Sequence, residues 1–263
     1  MKKLDECHTY EEIAPDTYRI EELGFVNCYL MVGKKQALLI DAGCGAGYLK
    51  GCISELTHLP VILTATHRHP DHIGGAWQFG SYYASQKDCT PIYDLMCMRF
   101  ISGKMVKGSG GTVTCHPSFF SHTSVKKLEE QKSFDLGGRI ITFRNVPGHT
   151  RGSVVFFDEE RKMMFTGDDA NPYMWMQLPG CTTVQEWLNS ACVIREYLRQ
   201  GYTAFYGHGD GRQSEQQVDA LIALGQQVIQ MAKADRLPKG KHIYPSDDAV
   251  PNLYYNAKNI LLH

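Results

Sequence analysis

Thr66-His67-Arg68-His69-Pro70-Asp71-His72 places three imidazoles and a carboxylate within six residues, directly behind the apolar run 61–65. The run reads as a buried strand, and the segment that leaves it is extended at first. In extended chain alternate side chains share a face, so His67 and His69 point the same way. Pro70 and the pair Gly74-Gly75 then favour a turn, which presents Asp71 and His72 to a neighbouring position. Imidazole and carboxylate are ligands for zinc and its first-row neighbours. A polar loop with merely solvated histidines does not need this density of donors behind an apolar strand.

Three further donors stand at the ends of later strand-like runs. They are His149 in Pro147-Gly148-His149-Thr150-Arg151-Gly152-Ser153, Asp168 in Phe165-Thr166-Gly167-Asp168-Asp169, and His208 in Tyr206-Gly207-His208-Gly209-Asp210. Each has a glycine beside it, which lets backbone turn sharply or approach a crowded centre. Donors on loops at strand ends suit a site held by a rigid scaffold. One such Gly-His is weak evidence, but the three together complete two sets of ligands.

Around these motifs the pattern is mixed α/β. Strands are expected at 17–23, 25–32, 36–41, 61–65, 81–84, 139–146, 152–157, 163–166 and 204–206. Helices are expected at 48–56, 73–79, 183–200 and 214–233, and the tail from 238 onward reads as partly irregular. We expect a single domain over 1–263, with an insert or lid at about 92–132 holding a helix at 93–101 and two ordinary loop histidines, His116 and His122. The aromatic and methionine run Pro172-Tyr173-Met174-Trp175-Met176 follows Asp168 closely. Tyr173 and Trp175 are therefore candidates for a substrate pocket.

The 27 basic and 28 acidic residues of the 263 leave a formal charge of -1, which disfavours nucleic acid as a partner. No run approaches the roughly 20 apolar residues of a membrane span, and the first residues do not read as a secretory signal. The nine cysteines are dispersed with no Cys-x-x-Cys pair, as expected of reduced thiols in a cytoplasmic protein. The expected partner is a small-molecule substrate; the oligomeric state is left open.

With His67-x-His69-x-Asp71-His72, then His149, Asp168 and His208 in that order, the chain resembles the metallo-β-lactamase fold superfamily over most of its length. The resemblance implies an αβ/βα four-layer sandwich, two mixed β-sheets between outer helices. It implies two divalent metal ions, zinc first, with manganese or iron also accepted. His67, His69 and His149 would bind one ion, Asp71, His72 and His208 the other, and Asp168 would bridge. Asp41 matches the family's early Leu-Ile-Asp-x-Gly turn, a supporting position, whereas Asp169 receives no ligand role. The implied chemistry is hydrolysis of a small ester, thioester or lactone by a metal-bridging hydroxide, with Asp71 as both ligand and catalytic acceptor. Asp71 itself is expected on a loop outside the core, and Thr150 and Ser153 as donors that support the ligands.

Departures from other branches narrow the reading to a glyoxalase II-like or lactonase-like hydrolase. Asp168 stands where true zinc β-lactamases carry Cys, and His69 where the flavodiiron branch carries Glu. A mononuclear iron persulfide dioxygenase and a phosphodiesterase or nucleic-acid-processing enzyme are the alternatives within the superfamily. The glutathione-binding residues of glyoxalase II are not matched in the C-terminal third.

Overall fold

Strand β4 (Val26–Val32) and strand β5 (Ala37–Ile40) are apolar on both faces and buried almost throughout. Their side chains alternate between two cores, as the period of a strand requires. Cys28, Leu30, Ala37 and Leu39 pack with helix α1 (Leu49–Leu56), while Tyr29, Met31, Leu38 and Ile40 pack against a second sheet. The partner strands β11 (Val154–Asp158) and β12 (Met163–Gly167) alternate in the same way. Val154, Phe156, Met163 and Phe165 meet the first sheet, and Val155, Phe157 and Met164 face helices α3 (Val184–Arg199) and α4 (Glu215–Lys233). Helix, sheet, sheet and helix follow one another, the expected αβ/βα sandwich. These strands read as continuous apolar runs because both of their faces are covered.

The structure, a computed structural model, describes residues 1–88, 104, 106–108, 123–245 and 251–262. Within them the first sheet has eight strands in chain order. They are β1 (Lys2–Lys3), β2 (His8–Ala14), β3 (Thr17–Glu22), β4, β5, β6 (Val61–Thr64), β7 (Ser81–Ala84) and β8 (Ser124–Lys127). The second sheet has the order β15-β14-β12-β11-β10-β9, where β9 is Phe134–Asp135, β10 Ile140–Asn145, β14 Thr203–Tyr206 and β15 Arg212–Gln213. Strands β5 and β6 run parallel, as do β12 and β14, so their C-terminal ends gather along one edge of each sheet. Backbone bonds stitch the two edges together: Asn27 N–H donates to Gly207 O at 2.8 Å and Val154 N–H to Thr66 O at 2.9 Å. No helix among the described residues is long and apolar enough to cross a membrane.

Three expectations need correction. The helix expected at 73–79 is two pieces, α2 (Pro70–Ile73) and a 3-10 turn over Ala76–Phe79. Gly74 and Gly75 separate them, and a Cβ at either would lie 2.3 Å from the carbonyl oxygen of Cys44 or Ala42. Asp71 and His72 consequently sit on a helical turn, buried, and not on an exterior loop. Strand β2 was not foreseen, because Glu11 and Glu12 break its alternation. The tail is also more regular than expected: β16 (Lys241–Tyr244) and β17 (Asn252–Asn256) join β13 (Tyr173–Met176) in a third sheet. The expected helix at 93–101, His116 and His122 lie outside the described residues, as does most of the insert at 92–132.

A buried ionic chain ties the N-terminal strands to the loop behind the site. His8, 1% exposed, has Nδ1 2.9 Å from Asp5 Oδ1 and Nε2 3.4 Å from Glu22 Oε2, with Cys52 Sγ 3.7 Å away. Glu22 in turn accepts backbone N–H groups of Cys44, Gly45 and Ala46 at 2.9, 3.3 and 3.2 Å. Burial alone would lower the His8 pKa, but the hydrogen bond and charge of Glu22 and the charge of Asp5 outweigh it and hold it above the usual value. A raised histidine pKa contributes stability that is complete below the unfolded value of 6.5 and is lost as pH rises through the folded value. His8→Gln should therefore lower unfolding stability by about 1–3 kcal/mol near pH 6, and the gap should close as pH rises. Urea denaturation of both proteins across pH 5.5–9 checks this; a gap that widens with pH would contradict the charged His8.

Candidate metal centre

The parallel strand ends deliver all seven expected donors to one edge of the sandwich. His67 and His69 follow β6, Asp71 and His72 lie on α2, His149 follows β10, Asp168 follows β12 and His208 follows β14. In the first group, His69 Nδ1 lies 3.1 Å from His67 Nε2 and 2.8 Å from His149 Nε2. In the second, Asp71 Oδ2 lies 3.8 Å from His72 Nε2 and 3.5 Å from His208 Nε2. Asp168 stands between the groups: its carboxylate is 3.6 Å from His149 Nε2, 3.5 Å from His72 Nε2 and 3.2 Å from His208 Nε2. Gly207 makes this possible, since a Cβ there would lie 2.6 Å from the His72 ring and 2.7 Å from Asp168 Oδ1.

The far side of four of the five rings is engaged. Nδ1 of His67, His72, His149 and His208 meets Thr66 Oγ1, Asp41 Oδ2, Trp175 O and Phe25 O at 3.0, 2.8, 2.8 and 2.8 Å. Those contacts fix the rings and leave Nε2 of all four turned inward, as metal-binding imidazoles require. His72 Nε2 and Asp168 Oδ1 are buried with no hydrogen-bond partner. Buried polar atoms are nearly always paired, so the donor set fits a cation. The triads His67–His69–His149 and Asp71–His72–His208 each bring one donor atom per residue within 4.8 Å.

The two triads differ in charge. Burial and neighbouring imidazoles push His67 and His69 well below the usual value, and burial also lowers His149. His72 goes the other way: burial would lower it, but Asp168, Asp41 and Asp71 together hold it well above. The same balance of burial against Asp168 and Asp71 raises His208 to about 9. Asp168 is held well below the usual carboxylate range by His208 and His72, despite its burial.

Three acids position the ligand loops, Asp41 and Asp169 buried and Asp88 partly so. Asp41 accepts from Thr66 N–H at 2.7 Å and Thr66 Oγ1 at 2.9 Å besides orienting His72, and it does so from a left-handed backbone, φ 63°. Such strain costs roughly 1–3 kcal/mol and persists where surroundings enforce it. Asp88, which the sequence reading missed, joins the two ligand loops. It accepts from Arg68 N–H, Gly152 N–H and the Thr150 hydroxyl at 3.2, 2.7 and 2.8 Å. Thr150 thus donates its hydroxyl to Asp88, while Ser153 Oγ accepts the Thr150 N–H at 3.0 Å. Asp169 is more than a bystander: buried to 1%, it accepts His149 N–H at 2.9 Å. Burial raises its pKa well above the usual value. Tyr173 and Trp175 are both half exposed on β13, and only Trp175 touches the centre, through its backbone carbonyl.

Comparison with known proteins bears on the family and the fold. The profile described as "Metallo-beta-lactamase superfamily" matches residues 22–180. The human acyl-coenzyme A thioesterase MBLAC2 is 27% identical over 161 residues, 54% of this chain and 57% of the relative. Hydroxyacylglutathione hydrolase GloC of Haemophilus influenzae is 29% identical over 150 residues, 54% of this chain and 65% of the relative. The chain thus spans less than two thirds of the length of either. Among solved structures, a metallo-beta-lactamase family protein from Thermus thermophilus superposes with a TM-score of 0.58 at 19% identity, covering 85% of this chain and 83% of that one. DIM-1 metallo-beta-lactamase gives 0.58 at 14% identity, covering 85% and 99%. At those identities the likeness speaks for the fold. Strand order, two-sheet packing and the profile match over more than half of the sequence lead to one conclusion: the chain belongs to the metallo-beta-lactamase superfamily.

Proposed function

We propose that the protein is a metal-dependent hydrolase of a small ester, thioester or lactone, working as one catalytic unit with two divalent ions. The observation that carries this is the pair of donor triads joined by Asp168, with His72 Nε2 and Asp168 Oδ1 buried 3.5 Å apart and neither engaged in a hydrogen bond. His67 Nε2, His69 Nδ1 and His149 Nε2 would hold one ion. Asp71 Oδ2, His72 Nε2 and His208 Nε2 would hold the other, and Asp168 would serve both. Zinc suits this mixture of imidazole and carboxylate, with manganese or iron as substitutes. Ions in such a setting supply Lewis acidity and bring the pKa of water from 15.7 toward about 7.

The chain's own groups do the rest. Asp71 stands beside its triad partners His72 and His208, so its carboxylate would accept a proton from the attacking water and fix its direction. Asp168 supplies negative charge between the triads and remains ionised. Asp41 and the Phe25 and Trp175 carbonyls keep His72, His208 and His149 in the tautomer that turns Nε2 inward. The names of the thioesterase and hydroxyacylglutathione hydrolase relatives support thioesters as the first substrates to try.

Two measurements test this reading. Metal analysis of the loaded protein should find two ions per chain. Asp71→Asn should then lower kcat by roughly 10²–10⁴ at saturating metal; one iron per chain without hydrolysis would favour the dioxygenase alternative. Asp169, which receives no ligand role from the sequence, is unsuitable as the site of a control substitution because it holds the His149 backbone.

Metal affinity should also separate by pH. Ligation requires neutral imidazole, so protons compete with the metal at each histidine below its pKa. The carboxylates around His208 move that competition up to about 9 for one triad. One equivalent should therefore reach its full affinity above pH 6.5, while the other should tighten until about pH 9, releasing protons as it binds. Calorimetry in buffers of different ionisation enthalpy would show this; two equivalents with the same pH dependence would refute it.

A further inference from the structure

Sheet β13-β17-β16 carries a row of apolar side chains with no counterpart in the core. Trp175 pairs with Tyr254, and Tyr254 with Ile243, so the three lie abreast across the three strands. The Trp175 and Tyr254 ring centroids are 5.5 Å apart. Tyr173 is 49% exposed, Trp175 43% and Ile243 40%. Their alternating neighbours Met174, Met176, Leu253 and Tyr255 are buried in the core beneath. That alternation fixes which face looks outward, so no slip of register can tuck the row away. Single exposed apolar residues are ordinary, but a contiguous row marks a binding face. Two strand spacings give it a length of about 10 Å.

The row adjoins the proposed metal centre from behind His149: the Trp175 carbonyl receives His149 Nδ1 at 2.8 Å, on the side of the ring opposite the inward Nε2. Tyr173 starts five residues after Asp168. We propose that this outer face seats an extended apolar acyl chain whose carbonyl lies at the metal centre. The assignment rests on the hydrolase reading. It goes beyond that reading in naming the part of the substrate that is recognised, and it adds Tyr254 and Ile243 to the two pocket residues legible in the sequence. Among the described residues of these three strands the charged group on this face is Lys241, at the far edge beside Asn256, so a charged acyl group would find little to pair with on them.

The test uses the full metal-loaded chain and a series of acetyl, hexanoyl and decanoyl thioesters of one simple thiol. KM should fall by at least roughly tenfold from acetyl to decanoyl, because each methylene removed from water strengthens binding several-fold. In Ile243→Ser and Tyr254→Ser the chain-length dependence should flatten to within about threefold, as expected when apolar partners are removed. A second arm needs no turnover. Trp175 is the exposed tryptophan, whereas Trp77 and Trp187 are 8% and 0% exposed, so decanoate should shift the emission of the parent to the blue. That response should vanish in Trp175→Phe and weaken in Ile243→Ser. A flat thioester series together with no response to decanoate would overturn the proposal. So would a concentration-dependent dimer that Ile243→Ser dissolves, since the row would then be the seat of a second copy. Decanoate binding without hydrolysis of any thioester would retain the apolar seat and instead remove the hydrolase reading.

Discussion

Imidazole lone pairs converge at the centre of this molecule, with ring nitrogens 2.8 and 3.1 Å apart in one triad and two carboxylates crowding the other. In a buried setting such an arrangement is unfavourable unless a cation resolves it, because unpaired polar atoms and like charges both cost more where water is excluded. The fold has to supply the force that holds the donors together. It does so by placing each donor just past the end of a strand whose own position is fixed by two cores. The alternation of Leu38 and Leu39, or of Phe156 and Phe157, is therefore a condition of the site as well as of the sandwich.

Between the strand ends and the rings stands a set of buried or partly buried acids, each with a structural task. Asp41 braces Thr66 and His72, Asp88 joins the loops of His67 and His149, Asp169 holds the His149 backbone, and Glu22 gathers the turn at 44–46. A buried carboxylate is stable only when its oxygens are satisfied, and here the partners are mainly backbone N–H groups of the ligand loops. The acids and loops therefore stabilise each other. A loop that shifts leaves a carboxylate unpaired, so ligand geometry and fold stability are coupled. Gly43, with φ +64°, is part of the same arrangement: a Cβ there would come within 2.4 Å of Glu22.

The third sheet adds a different element. It packs Met174, Met176, Leu253 and Tyr255 onto the core that helices α3 and α4 also cover, and turns aromatic residues outward next to the centre. Its strand β13 joins the two roles, since one Trp175 backbone atom orients His149 while its ring stays exposed. On the proposed reading, chemistry at the sandwich edge and selection of substrate on the added sheet are linked mechanically through this one residue.

The sequence by itself determined the candidate donor types, their order and a mixed α/β pattern, and it implied the sandwich through the family resemblance. The signals are local: apolar runs, glycines at strand ends, and His67, His69, Asp71 and His72 within six residues. It also marked Tyr173 and Trp175, through their closeness to Asp168 in the chain. Only the tertiary structure decided what depends on residues far apart in sequence. Asp88 reads as one more surface acid until the fold brings it to Thr150, 62 positions away. Asp169 reads as a spare neighbour until His149 N–H is found on it, and the tail reads as irregular until β17 pairs with β13. Neither short strands nor a single buried carboxylate leaves a periodic signal in the chain. Each becomes favourable only when a distant partner removes it from water and satisfies its hydrogen bonds, and that requires the whole fold.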